Sequence, residues 1–544
     1  MKKTWKRTFA LGAALFLAVA SGASAYESQL KPFKDVPAGD WSEEDVYTLT
    51  AYDIVSGYED GSFRPDSSVT REQFVKMLMT SLPGQTGDSG QSGGSRFADV
   101  TEDRWSYPVI RDAAAKGYVS FMIKGGSFLP EEKIKRAEVA VLIGRYLLDT
   151  VGEQERALWL DNKWKIEEAA RGFLDAEQLA PEYRPYAYYA SYRGIMTGDD
   201  RKQLHPGEAL SRKEAAAIIR RTIGEKVERH ALEVHGFYAI NSYRNIDQLK
   251  NLSGITFSWS NLGYTGEGKA KLETDTGTFK MPEGWNTVVD TAKQQALPDK
   301  LMIFSDNADG KLSRFLQDGE AKQSFIQSLK EQLIALPMSG VSIDFEGLIS
   351  GNDREPYTAF LRSVKEAIGA KTLSVAVPPV MYYKGYDLKE IGALADEAVL
   401  MAYDFTHRQS GLPSAPLPLV RESLAEALRS IPKEKLLLGI SKQANQWITK
   451  ANGDLTSPSP SIDRVESRLA MDGVQQQFQL PFFLRHAFFT TNEGSNELWY
   501  EDTKSISAKL ELARYFGLKG VALWHIGNFT AEDWALISKE KAKK

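Results

Sequence analysis

The stretch SGVSIDFEGL, residues 339–348, decides how this chain is read. Gly340, Ser342, Asp344 and Glu346 alternate with Val341, Ile343 and Phe345, the period-two pattern of a β-strand. Asp344 and Glu346 therefore project from one face, about 6–7 Å apart at the usual strand rise. Carboxylates that close repel each other, and a site that holds a proton between them would keep them there. Such a pair raises one pKa and makes a general acid available near neutral pH. The same pattern also fits a solvated strand end that runs into a loop, so the surrounding chain has to weigh the two readings.

Working outward, seven further strand-like stretches share the C-terminal part of the chain: 233–240, 254–262, 300–306, 372–379, 397–405, 435–441 and 520–527. Amphipathic helical stretches such as 321–336, 357–369 and 419–431 lie between them. Eight alternating strand–helix units predict an α/β fold, a (β/α)8 TIM barrel over 229–544, whose chemistry belongs at the C-terminal strand ends. Asp344 and Glu346 fall at the end of the fourth strand. The long segment 442–519 reads as an insertion of short strands between the seventh and eighth units.

The chain has 544 residues, room for two or three domains, and 42% hydrophobic content allows a large core. Its net charge of −5 argues against non-specific nucleic-acid binding. Lys2, Lys3, Lys6 and Arg7 precede an apolar run from Phe9 to Ala20, and Ala23-Ser24-Ala25 supplies a small-residue cleavage pattern. Residues 1–25 thus read as a signal peptide, and the mature protein is expected to be exported. No second long apolar segment predicts a transmembrane span in the mature chain. There is no cysteine, which rules out disulfides and Cys-ligated metal sites. No metal or nucleotide motif stands out, and no cofactor is expected.

Residues 33–223 hold one unit three times, with expected boundaries 26–90, 91–165 and 166–228. Each copy opens with Phe-x-Asp (Phe33/Asp35, Phe97/Asp99, Phe173/Asp175) and continues to an aromatic, Trp41, Trp105 or Tyr183. A glycine-bearing loop then ends in Pro65, Pro130 or Pro206, and six residues beyond each proline lies an arginine: Arg71, Arg136 or Arg212. The third loop has Gln203-Leu204 where the others have Gly-x-Phe. TREQ (70–73) and SRKE (211–214) fit capping boxes, so each arginine is placed at a helix start. Free backbone N–H groups beside an arginine would make an anion site. The alternative is that each arginine pairs with a nearby carboxylate. The segment 83–95 reads as a flexible Gly/Ser linker, and 149–172 as a connecting helix.

These motifs resemble S-layer homology repeats, α-helical modules that pack as a trimer-like unit and hold bacterial surface proteins to an anionic secondary cell-wall polymer. The resemblance implies that Arg71, Arg136 and Arg212 bind that polymer, with Gly57, Gly61, Gly125 and Gly126 shaping the approach. It also implies a location at the bacterial cell surface.

The barrel carries a second resemblance. SGVSIDFE is similar to the fourth-strand signature of family 18 glycoside hydrolases, DxxDxDxE, and MAYD (401–404) to that family's sixth-strand motif. The strand holding Trp524 is similar to its eighth, and 387–420 is particularly like the bacterial cell-wall and spore-cortex branch. The resemblance implies a glycan partner containing N-acetylglucosamine, whose acetamido carbonyl attacks the anomeric carbon. Glu346 is then the general acid and later base, Asp344 holds the acetamide N–H, and Tyr403 donates to its oxygen. Asp404 binds a sugar hydroxyl, Met401 shares the inward face with Tyr403, and Trp524 forms the floor under the reacting ring. Here Ser339 and Ser342 replace the first two aspartates of the signature. The Ser342 hydroxyl can still hydrogen-bond Asp344 but carries no charge. Two readings follow: a wall-anchored hydrolase of β-1,4 bonds next to N-acetylglucosamine in peptidoglycan or chitin-like glycans, or a wall-anchored carbohydrate-binding protein with an impaired barrel.

Overall fold

A computed structural model describes residues 30–82, 97–239, 242–379, 383–406 and 412–543. The expected signal peptide, the expected Gly/Ser linker and Ile240 of the first expected strand lie outside the described residues. The chain divides into two compact units, one over Glu27–Glu228 and one from Arg229 to Lys544.

In the first unit each repeat contributes two helices, Glu43–Ala51 with Arg71–Thr80, Tyr107–Ala115 with Arg136–Asp149, and Arg184–Tyr192 with Arg212–Val227. The recurrent Phe-x-Asp becomes a clamp on the loop that follows some thirty residues later. Asp35 accepts from the N–H groups of Phe63 and Arg64 at 2.7 and 2.8 Å, and Asp99 from Phe128 and Leu129 at 2.8 and 2.7 Å. Asp175 does the same for Leu204 and His205, at 3.0 and 2.7 Å. Leu204, fully buried, therefore occupies the place of Phe63 and Phe128, and the third loop keeps its shape without the aromatic. Gly61, Gly125 and Gly126 turn these loops at positive φ, and a Cβ on Gly57 would meet the Phe33 ring at 2.4 Å. Asp99→Ala leaves two donors unpaired, and we expect a loss of about 1.5–3 kcal/mol, read as a lower denaturation midpoint.

The three repeats close on one another. The Val69 N–H donates to the Leu210 carbonyl at 2.9 Å, Leu210 to Ile134 at 3.1 Å, and Ile134 back to Val69 at 3.0 Å. This ring gives the unit a pseudo-threefold axis. Between repeats two and three, the connecting segment is helical from Glu153 to Arg171, with a π turn at Trp159–Lys163 and Trp159 packed edge-on to Tyr189.

The second unit contains fourteen strands among the described residues: β1 (Glu233–Tyr238), β2 (Gly254–Gly266), β3 (Lys269–Glu273), β4 (Asp299–Ser305), β5 (Gly340–Phe345), β6 (Thr372–Val377) and β7 (Glu397–Leu400), then β8 (Leu436–Ser441), β9 (Asn445–Thr449), β10 (Leu455–Thr456), β11 (Gln475–Gln479), β12 (Leu484–Thr491), β13 (Gly494–Tyr500) and β14 (Gly520–Trp524). Eight of them are parallel in the order β1-β14-β8-β7-β6-β5-β4-β2, and β1 also pairs with β2, closing the barrel. All eight expected strands are present. The hairpin partner β3, turned through Gly266–Gly268 and antiparallel to β2, was not expected. The insertion is narrower than 442–519. Its sheet, β10-β9-β13-β12-β11, ends at Tyr500, and Thr503–Phe516 is the barrel helix that precedes β14.

Inside the barrel, Phe237, Met302, Val399, Leu437 and Ala522 form a buried apolar layer. At the N-terminal mouth the filling is ionic. Lys300 Nζ donates to Glu397 Oε2 at 2.6 Å and Lys519 Nζ to its Oε1 at 2.8 Å, with His235 Nδ1 3.4 Å from Lys300 Nζ. Ser339 sits at this same end, where its hydroxyl donates to the Asp299 carbonyl at 2.6 Å. It is thus about 20 Å of strand away from the opposite rim.

Candidate active site

The alternation read in 339–348 holds: β5 is buried along its whole length, and it delivers Asp344 just inside the C-terminal rim and Glu346 one residue beyond its end. The Glu346 N–H donates to the Ser305 carbonyl of β4 at 2.8 Å, which fixes the exit of the strand. Gly347 follows at φ +80°, and Asn307 Nδ2 donates to its carbonyl at 3.2 Å. The solvated-strand-end alternative fails here, because Asp344 is 4% exposed.

The electrostatics follow from that burial. Desolvation, then the neighbouring Glu346, push the Asp344 carboxyl well above the usual carboxylate range. Glu346 is raised to about 7, first by burial and then by the charges of Asp404 and Asp306. Asp344 Oδ1 has no hydrogen-bond partner, nor does the fully buried Ser342 hydroxyl directly below it in the strand. The serine is therefore present but not bonded to Asp344, unlike the contact the sequence allowed.

Across the mouth lies MAYD. Met401 N–H donates to Val377 O at 2.9 Å and Tyr403 N–H to Met401 O at 2.8 Å, so the chain leaves β7 in a tight turn. A Cβ on Gly439 of β8 would come within 3.0 Å of the Tyr403 ring, and glycine there makes room for the ring. Burial, followed by Asp344, Asp404 and Glu346, raises the Tyr403 hydroxyl far above its ordinary range, so it stays a donor. Asp404 adopts φ +60°, and Ser414 holds it from both sides: its Oγ accepts from the Asp404 N–H at 3.0 Å and donates to Oδ1 at 3.2 Å. Ser414 is held in turn by Asn445 Oδ1, which accepts from its N–H at 2.6 Å. Trp524 ends β14 against Phe237 and Phe279, at ring separations of 5.4 and 5.8 Å, on top of the apolar layer. His525 beside it is buried and held neutral, its pKa lowered to about 4 first by desolvation.

Sequence reasoning missed Tyr357, Tyr383, Ser414 and Asn445. The buried Tyr357 hydroxyl has no partner and feels Asp344, while Tyr383 feels Glu346 and Asp404. Tyr383, in the loop after β6, directly follows three residues outside the described set. Of these four, only Tyr383 carried a hint, as a tyrosine shortly beyond an expected strand end. Among the described residues no group of acidic or histidine side chains could hold a metal ion.

In the repeat unit the helix starts differ from expectation, and Arg71 and Arg136 take the carboxylate-paired alternative. The helix N-termini are not free. The Arg71 and Glu72 N–H groups donate to Glu132 O and Pro130 O, those of Arg136 and Ala137 to Glu208 O and Pro206 O, and those of Arg212 and Lys213 to Ser67 O and Pro65 O. Each loop's carbonyls thus satisfy the helix of the preceding repeat. Arg71 is 5% exposed, donates to Phe128 O at 3.0 Å, and is ion-paired with Glu132 at 2.7 Å and with Glu138. Arg136 donates to Leu204 O and pairs with Glu214, both at 2.9 Å. Arg212 donates to Phe63 O at 2.9 Å and Ser56 O at 3.1 Å.

A closed (β/α)8 barrel with buried, protonatable carboxyls clustered at its C-terminal rim is equipped for general acid–base chemistry there. The chain belongs to Glycosyl hydrolases family 18, whose profile matches residues 233–528, and S-layer homology domains match 32–75, 96–140 and 172–216. It is 26% identical over 285 residues to the cortical fragment-lytic enzyme of Bacillus anthracis, covering 48% of this chain and 64% of that one. Over 129 residues it is 34% identical to the cellulosome-anchoring protein of Acetivibrio thermocellus, covering 23% of this chain and 28% of the other. The crystal structure of the Bacillus cereus spore cortex-lytic enzyme SleL is similar at 21% identity and TM-score 0.48, covering 57% of this chain and 74% of that one. The chain spans 55% to 64% of the length of the first cortex-lytic and sporulation relatives it matches. No described helix is long and apolar enough to cross a membrane.

Proposed function

We propose that the barrel hydrolyses β-1,4 bonds next to N-acetylglucosamine, in peptidoglycan or a related glycan, by a substrate-assisted retaining mechanism. The observation that carries this reading is Glu346, held near pH 7 at the strand end beside a buried Asp344. A protonated Glu346 gives its proton to the glycosidic oxygen, while the substrate's own acetamide oxygen attacks the anomeric carbon. Asp344 accepts from the acetamide N–H and stabilises the oxazolinium-like cation; Tyr403 donates to the acetamide oxygen. Glu346, now a carboxylate, takes a proton from water, which opens the ring and restores the sugar with retained configuration. Asp404 binds a sugar hydroxyl and Trp524 supports the ring.

The three repeats hold the protein, after export, to an anionic secondary polymer at the bacterial cell surface. Tethering of this kind raises the local concentration of enzyme at the wall and favours a wall glycan as substrate. Mass spectrometry of peptidoglycan and chitin digests tests the reading, with new N-acetylglucosamine reducing ends as the expected product. The unpartnered Ser342, neutral where a charge is usual, favours a second reading in which the cleft binds glycan without turnover. Saturable chito-oligomer binding with no product from wild-type protein would establish that second reading in place of the first.

A further inference from the structure

The parallel ladder between β5 and β6 has its phase set by the Thr372 N–H, which donates to the Ser339 carbonyl at 3.0 Å. Such bonds recur at every second residue, so residue 378 is the one due to donate to the Phe345 carbonyl. That residue is Pro378, which has no N–H. β6 ends at Val377, and the last β5 carbonyl on that side is left without a ladder partner.

Tyr386 takes the missing place. It is 2% exposed, and its hydroxyl donates to Phe345 O at 2.6 Å from the loop after β6. The ring stands edge-on to Tyr357 at 5.5 Å, and burial above all keeps the hydroxyl protonated and a donor. The segment that carries it is also fastened to the chain beyond Glu346. Lys384 N–H and Gly385 N–H donate to Ile349 O and Leu348 O at 3.3 and 3.0 Å. A Cβ on Gly385 would come within 2.6 Å of the Leu348 Cβ, and glycine permits that approach.

The Phe345 carbonyl and the Glu346 N–H belong to one rigid peptide plane. Ser305 O of β4 holds its N–H end at 2.8 Å, and Tyr386 holds its carbonyl end from the β6 side. The plane is therefore fixed at both ends, one bond before the Glu346 Cα. Held at one end only, with Gly347 directly after the acid, it could rock and leave a buried carbonyl unpaired.

We propose that Tyr386 is a positioning residue for Glu346: its hydroxyl replaces the ladder bond that Pro378 cannot make and, by fixing the 345–346 peptide plane, holds the acid in place over the bond to be cut. This rests on the hydrolase reading above. Tyr386 acts through the backbone of Glu346, on whose placement proton transfer depends.

Steady-state kinetics of full-length Tyr386→Phe test it, on whichever of chito-oligosaccharides or purified peptidoglycan the wild type cleaves. The variant keeps the ring and loses one oxygen. We expect kcat to fall about 10- to 100-fold, with KM within about twofold because Tyr403, Asp404 and Trp524 lie on other strands. A carboxyl that can swing out is better solvated. The alkaline decline of activity, near pH 7 in wild type, should therefore move down by about half a pH unit or more. Phe360→Leu is the packing control. Phe360, in the helix Arg354–Ile368, stacks on the Phe345 ring at 5.3 Å. Its loss should lower Tm more than Tyr386→Phe does, with kcat within about twofold and the pH profile unmoved. A Tyr386→Phe kcat within about threefold of wild type, or a fall without displacement of the alkaline limb, overturns the positioning role. An equal fall in Phe360→Leu overturns it too, since activity would then follow packing behind β5. Wild-type protein that releases no product from either glycan overturns the hydrolase reading itself, and this assignment with it.

Discussion

Glu346→Gln is expected to lower kcat on N-acetylglucosamine glycans by about 10³–10⁴-fold, because one carboxyl serves as acid in the first step and base in the second. The amide keeps the shape and can still donate a hydrogen bond, so chito-oligomer affinity should change little. A fall of less than about tenfold would mean that another group delivers the proton. The same substitution carries a stability signature. Glu346 rises from an ordinary 4.5 to about 7 in the fold, so between those pH values the folded protein holds a proton the unfolded chain has released. Wild-type stability therefore declines as pH rises through that window, by up to about 3 kcal/mol for a shift of this size. The glutamine does not titrate. The variant should match wild type near pH 4 and exceed it near pH 8 in denaturation midpoint, while wild-type activity declines above about pH 7 as the acid is lost.

At the other mouth of the barrel, Glu397→Ala is expected to cost about 3–5 kcal/mol, since it leaves Lys300 buried without its anion. Burial alone would raise the Glu397 carboxyl. Lys300, His235 and Lys519 together overcome that and hold it down at about 2. The ordinary value is 4.5, so this contribution is complete above that pH and is lost as pH falls toward 2. Replacing the pair by apolar residues, Lys300→Met with Glu397→Leu, should recover most of the loss. Thermal denaturation at pH 7 and pH 3 measures both effects. A single variant as stable as wild type at pH 7 would mean that water already reaches Lys300.

Local pattern carried much of this into the sequence. Alternation placed β5 and its carboxyls, because a strand buried on both faces still keeps its two-residue period. The capping boxes at Thr70 and Ser211 are four-residue features and form as read. Features that depend on partners distant in the chain were not legible. Phe-x-Asp recurs visibly, yet nothing in its spacing says that Asp35 grips Phe63 and Arg64. The expectation of free helix N-termini failed for that reason: the carbonyls that use them come from the next repeat. Ser414, a single serine in a loop, gives no periodic signal, although it fixes the backbone of Asp404. The β3 strand is too short to show alternation beyond chance, and the Gly266-Glu267-Gly268 turn was its one available sign.

The closed circuit of Val69, Ile134 and Leu210 has a consequence for how such a three-repeat module can be built. Each member gives its N–H to one neighbour and its C=O to the other, so removing one member from this geometry leaves one donor and one acceptor without partners at its centre. Trimming the module by one copy does not yield two-thirds of the structure; it breaks the geometry in which every helix start is satisfied by another repeat's loop.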